Sequence, residues 1–232
     1  MRWPTGTVVA AVLLAGCAHT VPGVATPAAS AVKILPTEGE IASDLPNTLS
    51  TFGFRPFIGG VEILPDGYRT EADASPIGCA AVTDTAPRIV YEPLPVVEAA
   101  RQSYFNWDEG VDASGADAAV VRLSSAAAAR DAFSTFTRQW RQCAGTTVVK
   151  HVGAAVIDAA VSDVTDQGAV VSATVRTRQR PGSAQTRYER ALGVRDATLV
   201  EVSLAVTPDG DRQPDPRAWA VGIAKTMLGK SQ

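Results

Sequence analysis

From Thr146 onward the chain falls into a period-two pattern, and this limits more than anything else what it can fold into. Thr147 to His151, Gly168 to Arg176 (GAVVSATVR), Arg187 to Val194 (RYERALGV) and Ala197 to Val206 (ATLVEVSLAV) all read as strands. Arg195-Asp196 is short enough to turn one hairpin, and Arg180 to Ala184 (RPGSA) another. Consecutive strands joined by tight turns are antiparallel, because parallel pairing needs a long crossover. In the last strand Val200, Val202, Leu204 and Val206 fall on one face, with Glu201 and Ser203 on the other. That alternation predicts a sheet with one covered face and one wetter face.

Such a face needs helices to cover it. Ser124 to Gly145 (SSAAAARDAFSTFTRQWRQCAG) places Ala129, Phe133, Phe136, Trp140 and Cys143 at helical spacing on one side. Arg130, Asp131, Ser134, Thr137, Arg138 and Arg141 take the opposite side. Ser124 reads as the N-cap, and Gly145 as the left-handed residue that ends the helix. An aromatic stripe of this kind is more often core than ligand ridge, so it is read as the clamp between helix and sheet. A final helix opens with Asp215 as N-cap and Pro216 at the first helical position, and buries Trp219, Ile223 and Met227. Near the other end, Thr37 and Glu40 form a capping box before Ile41 and Leu45, and Pro46 stops that helix. Asn47 to Ser75 mixes Phe52, Phe54, Phe57, Ile58 and Ile63 with glycine and proline, which predicts an ordered loop or short extended pieces. Gln102 to Trp107 and Ala118 to Leu123 read as a hairpin turned by Asp112 to Asp117 (DASGAD). The expected fold is therefore α+β: a twisted antiparallel β-sheet with a few helices packed against it and one disulfide.

The N-terminus sets the compartment. Arg2 precedes a short apolar run, Val8 to Ala15, too short to span a bilayer core. The run ends in Leu14-Ala15-Gly16-Cys17, which resembles the lipobox of bacterial lipoproteins. That resemblance implies cleavage before Cys17 and a lipid on its thiol; the alternative is an ordinary signal peptide with a chance cysteine. The expected organisation is a lipoprotein signal peptide over residues 1–16, an acylated cysteine and flexible tether over 17–33, and a folded domain over 34–232. The protein is then expected at the extracytoplasmic face of the cell membrane, bound to it through the lipid anchor. Disulfides persist in that compartment. With Cys17 acylated, Cys79 and Cys143 are left as the one possible intramolecular pair. Two free thiols remain the alternative. They would make a poor zinc set with His151, the one histidine outside the tether.

The chemical search is short. A formal net charge of −3 without a basic block argues against nucleic acid as a partner. No nucleophile elbow, S-x-x-K, H-E-x-x-H or glycine-rich phosphate loop is present, so no catalytic residue, cofactor or enzymatic activity is expected. His19 lies in the tether, and His151 stands alone at the end of a strand. Asp158, Asp163 and Asp166, like Asp209 and Asp211, lack the spacing of a calcium loop, and no metal site is assigned.

Several segments together resemble one known family. They are Pro76-Ile-Gly-Cys79-Ala-Ala-Val82, Tyr91, Val120-Val-Arg-Leu-Ser-Ser-Ala126, Trp140-Arg-Gln-Cys143-Ala-Gly145, Arg190-Ala191-Leu192 and Val200-Glu201-Val202. From about Ser75 to the C-terminus the chain is similar to the extracellular sensor domain of the mycobacterial PknH-type receptor kinases and its lipoprotein relatives. The resemblance implies a twisted antiparallel sheet with helices and a cleft proposed to bind a small or lipid-like ligand. It also implies retention of the pair matching Cys79 and Cys143. A second disulfide common in the family would fall just before Glu189, where this chain has Tyr188, and near Leu204-Ala205, where it has no cysteine. The function expected is a ligand-binding or sensor lipoprotein using an apolar cleft whose lining the sequence does not name. The alternative is a structural or interaction lipoprotein that docks an envelope protein partner.

Overall fold

The computed structural model describes residues 29–207 and 215–231. Cys17, His19, Asp209 and Asp211 lie outside them. The chain enters through α1 (Ala31–Ile34) and α2 (Glu38–Asp44), then runs through β1 (Phe57–Gly59) and β2 (Ala74–Ser75) to the short helices α3 (Ala80–Thr83) and α4 (Arg88–Tyr91). A hairpin follows, β3 (Val96–Phe105) and β4 (Ala113–Leu123), then the long helix α5 (Ala126–Cys143). Five further strands complete the sheet: β5 (Thr147–Val152), β6 (Ala155–Asp166), β7 (Val170–Arg180), β8 (Thr186–Arg195) and β9 (Thr198–Val206). Helix α6 (Pro216–Gly229) comes last. No helix among the described residues is long and apolar enough to cross a membrane.

The nine strands form one sheet in the order β1-β3-β4-β9-β8-β7-β6-β5-β2, with every pairing antiparallel. Strand β9 slots between β4 and β8 and joins the early hairpin to the later meander. Asp196 turns the β8–β9 hairpin in the left-handed region, φ +50°, as a two-residue loop demands.

Both faces of the sheet are covered, which corrects the expectation of one wet face. Helices α1, α2 and α6 pack on the side of Val200, Val202 and Leu204, with Ile34, Ile41, Trp219, Ile223 and Met227 buried there. Helices α3, α4 and α5 cover the other side, where Val121, Val171, Leu192 and Leu199 meet Tyr91, Phe133 and Trp140. Glu201, placed on the wetter face by its alternation, is only 3% exposed. Its charge is neutralised inside the helical layer, as shown below.

Several local expectations shift as well. The N-cap of α5 is Ser125, whose hydroxyl accepts from the Ala128 N–H at 3.1 Å, while the Ser124 N–H donates to the Pro95 carbonyl. Gly145 does adopt φ +79° just beyond the C-cap Ala144. Thr137 is buried rather than outward. Ala113 to Asp117 is strand, and its Ser and Gly serve a β-bulge; the turn falls earlier, where the Asn106 side chain accepts from the Asp108 N–H. Strand β6 adds to the strands that period two predicts; Asp158, Asp163 and Asp166 interrupt its apolar pattern. Asp158 is paired with Arg180 on β7, and Asp163 sits in a bulge at φ +53°. The folded part also begins earlier than residue 34: Ala31 and Ile34 are fully buried, and Ala29 packs against the same core.

Candidate functional site

Arg190 on β8 organises the interior of the second face. Its side chain is completely buried, and a guanidinium there needs a partner for each donor. Nε donates to the Val82 carbonyl at 3.1 Å, Nη1 to the Thr85 hydroxyl at 2.5 Å, and Nη2 to the Asp84 carbonyl and Glu201 Oε2, both at 2.7 Å. Glu201 Oε2 also accepts from the Ala86 N–H at 3.0 Å, and Oε1 accepts from the Tyr91 hydroxyl. Ala86 reaches this position with φ +46°, a conformation that costs an L-residue about 1 kcal/mol. Burial, and then the Glu201 charge, push the Tyr91 phenol well above its ordinary range. The guanidinium lies 5.7 Å from the Trp140 ring, and Tyr91 meets Phe136 edge-on at 5.3 Å. Beside them Cys79 and Cys143 are joined by a disulfide with a Cα separation of 5.8 Å. Tyr91, Trp140, Cys79, Cys143, Arg190 and Glu201 are all positions that carry the family resemblance in the sequence. They converge on one cluster in which the Arg190, Glu201 and Tyr91 groups are hydrogen-bonded and the buried Trp140 indole N–H has no partner; its work is to pin residues 79–91 and α5 to the sheet.

Beyond this cluster the helical layer stops and the second face opens into a trench of about 250 Å³, lined by Tyr68, Thr83, Asp84, Asp117, Lys150 and Tyr188. It continues past Arg101 to His151, which is exposed on the rim. Each of the charges in the trench has a partner, and one pair of them is ionic. Lys150 Nζ lies 2.5 Å from Asp84 Oδ2 and 5.4 Å from the centre of the Tyr68 ring. Burial lowers the Lys150 pKa and Asp84 opposes that shift. Burial and the neighbouring Asp84 carboxylate push Tyr68 up to about 12. Asp117 accepts from the Ser103 hydroxyl, and Arg101 lies over Phe57.

A second cavity has the opposite character. On the flank of α5, against α4 and the Pro93–Pro95 segment, an apolar groove of about 520 Å³ is lined by Ile77, Ile89, Val90, Leu94, Ala132 and Phe136. Asp131, Thr135 and Gln139 edge it, and the buried Gln139 Oε1 has no hydrogen-bond partner. The groove exists because Ala128 and Ala132 are small where Leu94 and Ile77 stand opposite, while the two prolines hold their segment away from the helix. Its volume falls in the range of small-molecule pockets, about 300–1,000 Å³. Phe133 and Trp140 fill the interface between α5 and the sheet, and the open space lies on the helix flank. Phe136 serves both. Outside α5, Ile77 stands in the sequence only as part of a family segment, and Ile89-Val90 followed by Pro93-Leu-Pro95 is the local signal of the groove wall.

The remaining candidate residues do not gather. His151 is at the trench rim, and its backbone N–H donates to the Asp73 carbonyl. Asp158 and Asp163 are tied into β6, and among the described residues no group of three His, Cys, Asp or Glu is placed to hold a metal ion.

The family pattern this chain carries is that of an extracellular sensor-type domain, here built as an antiparallel sheet with helices on both faces. The chain belongs to the PknH-like extracellular domain family, whose pattern matches residues 20–230. In three dimensions it is similar to the crystal structure of the extracellular domain of PknH from Mycobacterium tuberculosis, with a TM-score of 0.67 and 17% identity, covering 87% of this chain and 94% of that one. An uncharacterized protein from Mycobacterium smegmatis aligns with a TM-score of 0.41 and 10% identity, covering 84% and 96% of the two chains. No individual curated protein matches the chain in sequence.

Proposed function

We propose that the protein is a non-catalytic ligand-binding sensor module, held at the extracytoplasmic face of the membrane by a lipid on Cys17. Its ligand is a small apolar or lipid-like molecule lying in the groove between α5 and the Pro93–Pro95 segment. The apolar groove itself carries this reading. Its walls offer hydrophobic contact, and the lone Gln139 Oε1 offers one acceptor to a hydroxyl or amide on the ligand. The trench supports a ligand less well, because Lys150 in it is already paired with Asp84, and Asp117 accepts from the Ser103 hydroxyl.

The test is native mass spectrometry of protein purified from its own cells, beside an Ala132→Trp variant. Ala132 lines the groove, and an indole there fills space that a ligand would need. The wild type should retain a non-covalent adduct, and the variant should lose it with its disulfide and melting curve preserved. A wild type that never carries an adduct, or an adduct undisturbed by Ala132→Trp, would refute the assignment.

A further inference from the structure

Large apolar side chains exposed to solvent are concentrated along one edge of the molecule. Phe52, Phe54, Phe57, Ile58, Val97 and Trp107 are each at least half exposed, from Phe52 at 51% to Trp107 at 69%. All belong to the β1–β3 edge or the loops that flank it. Phe57 and Ile58 pair with Arg101 and Ala100, Val97 is at the start of β3, and Trp107 follows its end. The rings are held in place. Trp107 stacks on Phe52 at 4.2 Å and lies 6.0 Å from Phe105, which Phe54 meets edge-on. A patch ordered in advance loses little conformational freedom when something covers it. A soluble surface rarely leaves so many neighbouring aromatics uncovered.

A second, independent observation says what covers them. The chain enters the domain on this same edge: α1 packs against β3, whose Glu98 is next in sequence to the exposed Val97. From Glu98 to Trp107 is nine residues of chain, about 30 Å when extended. The twelve residues from Cys17 to Ala29 reach at most about 40 Å. A lipid on Cys17 would therefore bring the whole patch within reach of the bilayer. Tryptophan rests at the headgroup level with its indole N–H wet, and phenylalanine beside it supplies apolar contact at the headgroup–acyl boundary. The exposed charges nearby lean acidic, with Lys33 and Arg55 against Glu38, Glu62, Asp108 and Glu109, which disfavours an anionic lipid surface and fits a neutral one.

The geometry points to the β1–β3 edge as a membrane-docking surface, which lays the domain against a neutral phospholipid headgroup layer with Trp107 inserted. This rests on the reading of Cys17 as the anchor, and the experiment separates the two. The full chain in a Trp3→Phe background is purified from cells and reconstituted with phosphatidylcholine vesicles carrying brominated acyl chains. Trp140 and Trp219 are buried, so Trp107 is the exposed indole among the described residues. Mass measurement reports the lipid on Cys17, and indole quenching reports docking.

Docking predicts loss of Trp107 emission to the bromines and a blue shift. A variant with Phe52→Ser, Phe54→Ser and Phe57→Ser should lose both while remaining vesicle-bound through its lipid. If that variant misfolds, Phe57→Ser alone should weaken the quenching. A lipidated protein with unquenched Trp107 overturns the docking surface and leaves the anchor standing. Quenching without lipid on Cys17 overturns the anchor and supports the surface. Absence of both refutes both. A dimer that buries these aromatics, with no quenching, assigns the edge to a second copy and also overturns the proposal.

Discussion

Arg190 cannot be removed alone without stranding a buried carboxylate. In Arg190→Met, Glu201 would keep only the Ala86 N–H and the Tyr91 hydroxyl. Breaking one side of a buried pair costs about 3–5 kcal/mol, whereas replacing both partners by apolar groups is often neutral. Urea denaturation with the disulfide intact should show a loss of that size for Arg190→Met, largely recovered by adding Glu201→Leu. Asp44 is the opposite case. It ends α2 at the negative pole of the helix, and Oδ2 is buried without a partner. Burial raises its pKa. The folded state then favours the protonated form, so the penalty is absent below the ordinary aspartate range and grows as pH rises through the raised value. Asp44→Asn should stabilise by about 0.5 kcal/mol at pH 7, and the gain should vanish in acid; denaturation midpoints at the two pH values check this. Neither environment was legible in the sequence. Period two says only that Glu201 and Val202 point to opposite faces, and a glutamate among valines looks the same whether it meets water or a buried guanidinium. Arg190 and Glu201 were legible only as marks of a family, without the contact that explains them.

Among the elements, α5 and α6 were readable because capping and helical spacing are local. Asp215, Pro216 and the Trp219–Ile223–Met227 stripe sit as expected, with the Asp215 carboxylate accepting from the Arg217 N–H. Strand β6 escaped because its acidic residues find partners far off in the chain, Asp158 on Arg180 of β7 and Asp166 on Arg141 of α5, a fact no local window contains. The groove escaped for a related reason: it is made by what Ala128 and Ala132 fail to fill, and a void has no sequence pattern of its own. The second staple implied by the family has a definite place in this structure. Tyr188 and Ala205, the positions where cysteine is absent, face each other directly across β8 and β9. Paired residues in antiparallel strands have Cα atoms about 4.5–5.5 Å apart, within disulfide range. The double variant Tyr188→Cys with Ala205→Cys should therefore oxidise spontaneously, and closing so short a loop should add about 3 kcal/mol at most. Thiol titration and the denaturation midpoint of the oxidised form would show both effects.

At the scale of the whole molecule, tight turns made the antiparallel sheet legible, but not the strand order. The insertion of β9 between β4 and β8 depends on Val120 meeting Val200 and Val121 meeting Leu199, contacts between segments far apart in the chain. Nor does any local signal say that α1, α2 and α6 share a face. They do, and the Lys230 ammonium fastens the two ends of the fold together, donating to the Leu35 carbonyl and to Glu40 Oε2, each at 2.7 Å. Entry and exit are thus neighbours, 195 positions apart in sequence and one hydrogen bond apart in space. A domain with adjoining ends can be recut. Joining residue 231 to residue 29 by a short glycine-serine linker and opening the exposed β5–β6 turn at Gly153 should give a circular permutant that still forms Cys79–Cys143. A cooperative melt and one protected disulfide would establish it, whereas an unfolded or scrambled product would show that chain order matters here. The same adjacency makes the domain a portable unit, able to hang from a support by either end without being turned over.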